Sequence, residues 1–230
     1  MSPRPRRDEQ QSNLQEAIKD TAWKQLAEFG APALSLRAIA RELNITAPAI
    51  YNYFPDRDAL VTALIMDAYR TFGDSQLEAR DSIPAEDLHG RMTAIGVAYR
   101  QWAHQFPQRY QLIFGTPIPG YEAPYETVMP VAARSMTALV STVEAIRAAG
   151  KLNVDNFPEV TPEYRSAFEL WRKYGGDAEM VSLSVAVLIW ARVHGIVSLE
   201  IARNLPPFGP DGHALYMYEM ESIHKEFIKS

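Results

Sequence analysis

SLRAIARELNITAPAIYNYFPDRD, residues 35–58, reads as two short helices joined by a tight turn, and that reading decides the fold. Ser35 stands where an N-cap is needed for a helix over Leu36–Leu43, whose Leu36, Ile39, Ala40 and Leu43 form one apolar stripe. Asn44 follows, a residue that tolerates the left-handed backbone of a sharp corner. Thr46 caps a second helix with Ala47 and Pro48 in its first turn, where proline forfeits no hydrogen bond. Ala40 is small where the helices cross, and Ile45 and Ile50 fill the angle between them. The spacing predicts a helix-turn-helix, in which the second helix offers its first side chains to a DNA major groove. A buried helical hairpin would share the apolar positions. It would not need Thr46, Ala47, Pro48, Tyr51, Asn52 and Tyr53 facing outward, short groups for base edges followed by hydroxyls and an amide for phosphates.

The run AIYNYFPDRDAL, residues 49–60, behind a helix-turn-helix and ahead of a long helix, resembles the N-terminal domain of the TetR family of bacterial transcription regulators. The resemblance covers residues 12 to 70 or so. It departs at Asn44, where the family usually has glycine, and at Arg57, where lysine is commoner. It implies a homodimer whose paired reading helices meet a near-palindromic operator, and a helical C-terminal domain that binds a small effector. Contact with DNA is expected from Ser35, Arg37, Thr46, Ala47, Pro48, Tyr51, Asn52, Tyr53 and Arg57. Arg37 would reach a guanine edge or a phosphate, the Ala47 methyl and Pro48 ring would meet thymine methyls, and the tyrosines and Asn52 would hold phosphate. Phe54 is expected in the core. Arg4, Arg6 and Arg7 read either as a basic arm entering a minor groove or as an untethered tail.

The rest of the chain is also read as helical, so the fold class is all-α: a three-helix DNA-binding domain and a larger helical domain for ligand binding and dimerisation. The expected divisions are a flexible basic arm over 1–11, the helix-turn-helix domain over 12–74, and the regulatory domain over 75–230. Helix one is expected from Asn13 to Phe29, capped by Ser12 or Asn13, with Leu14, Ile18, Ala22, Leu26 and Phe29 on one face. Asp56 should cap a fourth helix carrying Leu60, Leu64, Ala68 and Phe72. Further helices are expected over Pro84–Phe106, from Pro107 toward Phe114, over Pro124–Ala149, around Phe168 and Trp171, from Asp177 to about Asn204, and from Asp211 or Gly212 onward. GTPIPGYEAP and KLNVDNFPEVTP read as loops.

Val181–Ile201 is apolar enough to raise the question of a membrane span. Its serines, Arg192, His194 and Gly195 favour instead a helix buried on both sides, one against the core and one against a second subunit, with the last helix beside it. The stretch IWARVHGIVSLE, residues 189–200, resembles a Trp-x-x-x-His-Gly signature of one C-terminal regulatory domain of the family, through Trp190, His194 and Gly195. Glycine in mid-helix implies close approach there, at a dimer seam or beside a ligand.

Tyr99, Trp102, Phe106, Tyr110, Phe114, Met129, Met136, Trp171, Trp190 and His194 are the candidate effector-binding residues, with ordinary core packing the alternative for each. The effector is expected to be apolar or aromatic. No metal spacing, phosphate-cradling glycine loop or nucleophile motif is present, so neither enzyme activity nor a cofactor is expected. The chain has no cysteine, which suits a reducing cytoplasm. Net charge is −5, yet residues 1–57 carry +1 and the remainder −6, the polarity a two-part regulator needs. The rival readings are an activator or architectural DNA-binding protein without an inducer, and a helical carrier or enzyme that retains a helix-turn-helix.

Overall fold

The computed structural model describes residues 7–155, 157–175, 177–205 and 212–229, and its regular elements are helices. The chain divides into two compact units, one running to Ala68 and taking in Gln108–Val128, the other comprising Tyr69–Pro107 and the chain from Met129 onward.

In the first unit, α1 (Arg7–Phe29), α2 (Leu36–Glu42), α3 (Ala47–Tyr51) and the start of α4 (Arg57–Asp81) enclose one core. Ile18, Ala22, Ile39, Ile50, Leu60 and Leu64 are inaccessible or nearly so, and Phe54 joins them, as the sequence led one to expect. Lys19 ties α1 to α4 through Asp67, with Nζ 2.5 Å from the carboxylate. Burial opposes the lysine charge, but bonds from Asp67 and Glu16 outweigh it and raise the Lys19 pKa. α6 (Pro107–Phe114) and the following loop add to this unit. The Arg109 guanidinium lies 5.1 Å above the Trp23 ring, and the Tyr121 hydroxyl is 2.9 Å from that of Thr62.

The second unit is built around α10 (Met180–Ile201), which packs on α5 (Leu88–Gln105), α8 (Thr137–Ala148) and α11 (His213–Phe227). Leu183, Val185, Ala186, Ile189, Val193 and Val197 of α10 are buried with Met92, Ile95, Tyr99 and Trp102 of α5. Leu139, Val143 and Ile146 of α8 and Tyr216, Met220 and Ile223 of α11 complete the core. α7 (Tyr125–Ser135) and α9 (Pro162–Gly175) are the remaining helices.

Several expected boundaries move. α1 starts at Arg7, so Ser12 and Asn13 lie inside it and the last part of the expected arm is helical; residues 1–6 lie outside the described residues. The run Asp8–Gln11 has no helix breaker, and its acids at a helix N-terminus favour the dipole. Phe29 is 62% exposed rather than core, because the chain turns off at Gly30 with φ 77° immediately after it. α5 begins at Leu88 instead of Pro84, since the Asp87 carboxylate accepts from Gly90 N–H at 2.8 Å and caps it there.

The helix expected over 124–149 is two helices, broken at Met136. Pro130 already removes one hydrogen bond from its interior. At the break, α4 comes so near that a Cβ on Gly73 would stand 2.8 Å from Ser135 Cα. α10 is long and apolar enough to cross a membrane, with 44% of its apolar window buried inside the protein. On its other side Leu188 and Leu199 are 46% and 42% exposed.

Candidate nucleic-acid interface

The corner at Asn44 has φ 53°, the left-handed conformation that its residue type tolerates. Ser35 Oγ caps α2 by accepting from Ala38 N–H at 3.4 Å, and Thr46 Oγ1 caps α3 by accepting from Ala49 N–H at 3.3 Å. Ile45 N–H donates to Ala40 O at 3.0 Å, closing the turn with backbone. Ile50 is fully buried behind α3. With that side anchored, Thr46, Ala47, Pro48, Tyr51 and Asn52 are exposed on one surface, and Tyr53 is half-buried at its edge. Arg37 is exposed on α2. The surface offers small apolar groups, two phenols, an amide and a cation, a set suited to methyl contact and phosphate binding.

Besides Thr46, which caps α3, two more of the nine expected residues have structural duties. Ser35 is half-buried, and its N–H donates to Gln25 Oε1 at 3.2 Å. Arg57 Nη2 donates to Ala31 O at 2.9 Å, fastening the start of α4 to the short 3-10 turn Ala31–Ala33. Asp56 Oδ1 caps α4 by accepting from Ala59 N–H at 2.7 Å. Gln25 was missed by the sequence reading, although it positions α2. A buried polar residue inside the apolar stripe of α1 was the available signal.

The effector candidates are carried by both units. Tyr110 and Phe114 pair edge to face at 5.2 Å within the first unit. Tyr99 and Trp102 are buried in the second, each with its ring 5.0 Å from Phe72, and Phe106 lies 5.8 Å from Trp102. Tyr99 Oη stands 2.9 Å from His194 Nδ1, and Ser198 Oγ is 3.2 Å from Nε2. Trp190 stacks on His194 at 4.8 Å. Burial lowers the His194 pKa, so the imidazole is neutral at pH 7. Met129 and Met136 are half-buried, and the Trp171 side chain lies outside the described ones. The Trp102 indole N–H is buried without an acceptor. Gly195 is exposed in mid-α10, and a Cβ there would meet nothing within 4 Å, so close approach inside the subunit is not its reason.

The chain matches the family model "Bacterial regulatory proteins, tetR family" over residues 18–64 and "Tetracyclin repressor-like, C-terminal domain" over residues 92–223. It is 36% identical over 200 residues to the HTH-type transcriptional regulator Rv1816 of Mycobacterium tuberculosis, spanning 85% of this chain and 84% of that one. The regulator Mb1846 of Mycobacterium bovis matches to the same extent. The crystal structure of the regulatory protein SCO4313 superposes with a TM-score of 0.77 at 35% identity, over 95% of this chain and 98% of that one. The TetR family transcriptional regulator PfmR of Thermus thermophilus, with a TM-score of 0.58 at 16% identity over 90% and 97% of the two chains, shares the fold.

Proposed function

This chain belongs to the tetR family of bacterial regulatory proteins, and we propose that within it the protein is a homodimeric cytoplasmic repressor released from its operator by a small molecule. It is a sequence-specific DNA-binding transcriptional regulator. The observation that carries the proposed mode of reading is the Asn44 corner, which leaves Thr46, Ala47, Pro48, Tyr51 and Asn52 exposed over a fully buried Ile50. Each α3 N-terminus enters a major groove with Thr46, Ala47 and Pro48 nearest the bases, while Tyr51, Asn52 and Tyr53 hold phosphates and Arg37 reaches from α2.

A dimer reads two half-sites whose centres lie one helical turn of DNA apart, ~34–36 Å, or a multiple of it. The bare side of α10 with Leu188, Gly195 and Leu199 supports α10 and α11 as the dimerising pair, since exposed leucines on a long helix favour burial against a copy. α4 runs from the reading unit into the second one and is the element whose tilt would couple effector to operator. A coupling of ~1–3 kcal/mol suffices for release.

Selection of bound duplexes from a random pool tests the reading. A near-palindromic sequence bound at two copies per site is expected; enrichment of no sequence would sink it. A reporter under the selected operator then distinguishes repression from activation.

A further inference from the structure

α10 carries one row of side chains that its own subunit leaves open. Leu188, Ala191, Gly195 and Leu199 are exposed at helical spacing along it. A leucine stands at each end and two small residues lie between, so a second helix comes closest at Ala191 and Gly195. The exposed positions of α11, beside it, include Glu221, Lys225 and Glu226, a surface suited to the polar rim of an interface rather than its centre.

The row runs into a cavity of about 820 Å³, whose wall takes Val181, Ser184 and Leu188 from α10 and Phe157 and Val160 from the segment after α8. Backbone holds that segment in place. Leu152 and Ile228 pair as an antiparallel bridge, Asn153 N–H donates to Phe227 O at 2.8 Å, and Lys229 N–H donates to Lys151 O at 2.7 Å. The volume exceeds that of one side chain and suits the end of a helix. Two carboxylates line it. Glu226 is paired with Arg192, whereas Glu159 has no ion-pair partner among the described residues. Arg203, exposed just beyond the C-terminus of α10, likewise has none among them.

These positions have the spacing that a two-fold axis needs. Leu188 with Leu199, Ala191 with Gly195, and Ser184 with Arg203 share a midpoint at residues 193–194. An axis perpendicular to α10 at that point turns the helix end for end and sets the members of each pair opposite one another across the seam. An axis parallel to α10 sets Arg203 against its own copy and leaves Glu159 uncompensated.

We propose that α10 crosses its copy antiparallel at Ala191 and Gly195, and that the cavity is a socket closed by the end of that copy. Leu199 of the partner subunit packs on Leu188 at its mouth, and Arg203 of the partner subunit meets Glu159. The proposal rests on the reading of the protein as a homodimer through α10, to which it adds the direction and register of the seam and the occupant of the cavity.

The chain has no cysteine, so introduced thiols report the register on the full-length protein. A short bis-maleimide should join two copies of the Leu188→Cys/Leu199→Cys chain, and should join neither Leu188→Cys nor Leu199→Cys alone. Each residue stands ~16 Å along the helix from its own copy in this register. Glu159→Arg and Arg203→Glu should each raise the dimer dissociation constant about tenfold in sedimentation, because reversal turns attraction into repulsion at two symmetric sites. Combining the two should restore it to within about threefold. Cross-linking of either single variant overturns the antiparallel register. So does a double variant that light scattering shows to be dimeric but that does not cross-link, which leaves the cavity to another occupant; in both cases the homodimer stands. A combined reversal that restores nothing overturns the pairing of Glu159 with Arg203. A wild-type protein that is monomeric in light scattering overturns the homodimer itself.

Discussion

Glu200 keeps a carboxylate with only 2% of its side chain exposed, and it does so because Arg100 Nε and Nη2 and His104 Nε2 all reach it. Arg100→Ala would strand that charge between α5 and α10. A loss of about 3 kcal/mol in urea denaturation is expected, with Arg100→Met combined with Glu200→Leu milder than Arg100→Ala alone. His224 poses the opposite problem. Thr93 Oγ1 donates to His89 O at 3.1 Å, so the His224 Nε2 that lies 3.0 Å from it carries the proton, and Nδ1 is left buried without a partner. Burial, with the stacked His89 ring adding to it, lowers the His224 pKa to about 4, while Glu221 pulls weakly the other way. A depressed histidine binds its proton more readily unfolded than folded. Stability is therefore full above about pH 6.5, falls as pH drops toward 4, and levels off below that. Thermal melts at pH 7.5 and 5 should show the loss, and His224→Gln should reduce it. On the DNA side, Arg37→Ala should weaken operator binding by ~1–3 kcal/mol if the guanidinium reads a base, and the loss should be greater on the matched operator than on a mismatched one. Equal affinity of variant and wild type by anisotropy would remove Arg37 from the interface.

Among the elements, α2 and α3 were the most legible, because both starts and the corner between them are fixed by residues whose local chemistry allows little else. Ser35 and Thr46 cap, Asn44 turns, and Ile50 anchors. Asn44→Gly should leave stability within a few tenths of a kcal/mol, whereas Asn44→Val should cost about 1–2 kcal/mol, since a branched side chain opposes a φ of 53°. Denaturation midpoints for the two variants check this, and equal midpoints would show that the corner has another conformation. α7 and α8 were not legible as two helices. Their apolar stripe runs on through Met136, and the break coincides with the close approach of Gly73 to Ser135, a contact with no trace in local pattern. α5 shows the same limit on a smaller scale. Pro84 was an allowable first residue, but Asp87 makes the cap.

For the whole molecule, Gly195 decides the most. In a free subunit it sits in open space in mid-helix, where alanine would be favoured by ~1 kcal/mol. If copies meet across this face, Gly195→Leu should halve the mass seen by light scattering and lower operator affinity with it. A dimer untouched by Gly195→Leu would move the seam elsewhere. The reading head, its caps and its all-helical context followed from the sequence alone, because capping, turn conformation and helical periodicity act over a few residues. The tertiary structure decided what became of the aromatic residues. Tyr99, Trp102 and Trp190 are large apolar groups at helical spacing, and such spacing fits a core and a pocket equally well. Only the packing of α5 against α10 made Tyr99 and Trp102 interior, and only the pairing of Leu152 with Ile228, residues 76 apart, shaped a cavity that none of the three lines, because concavity arises from segments that are distant in the chain.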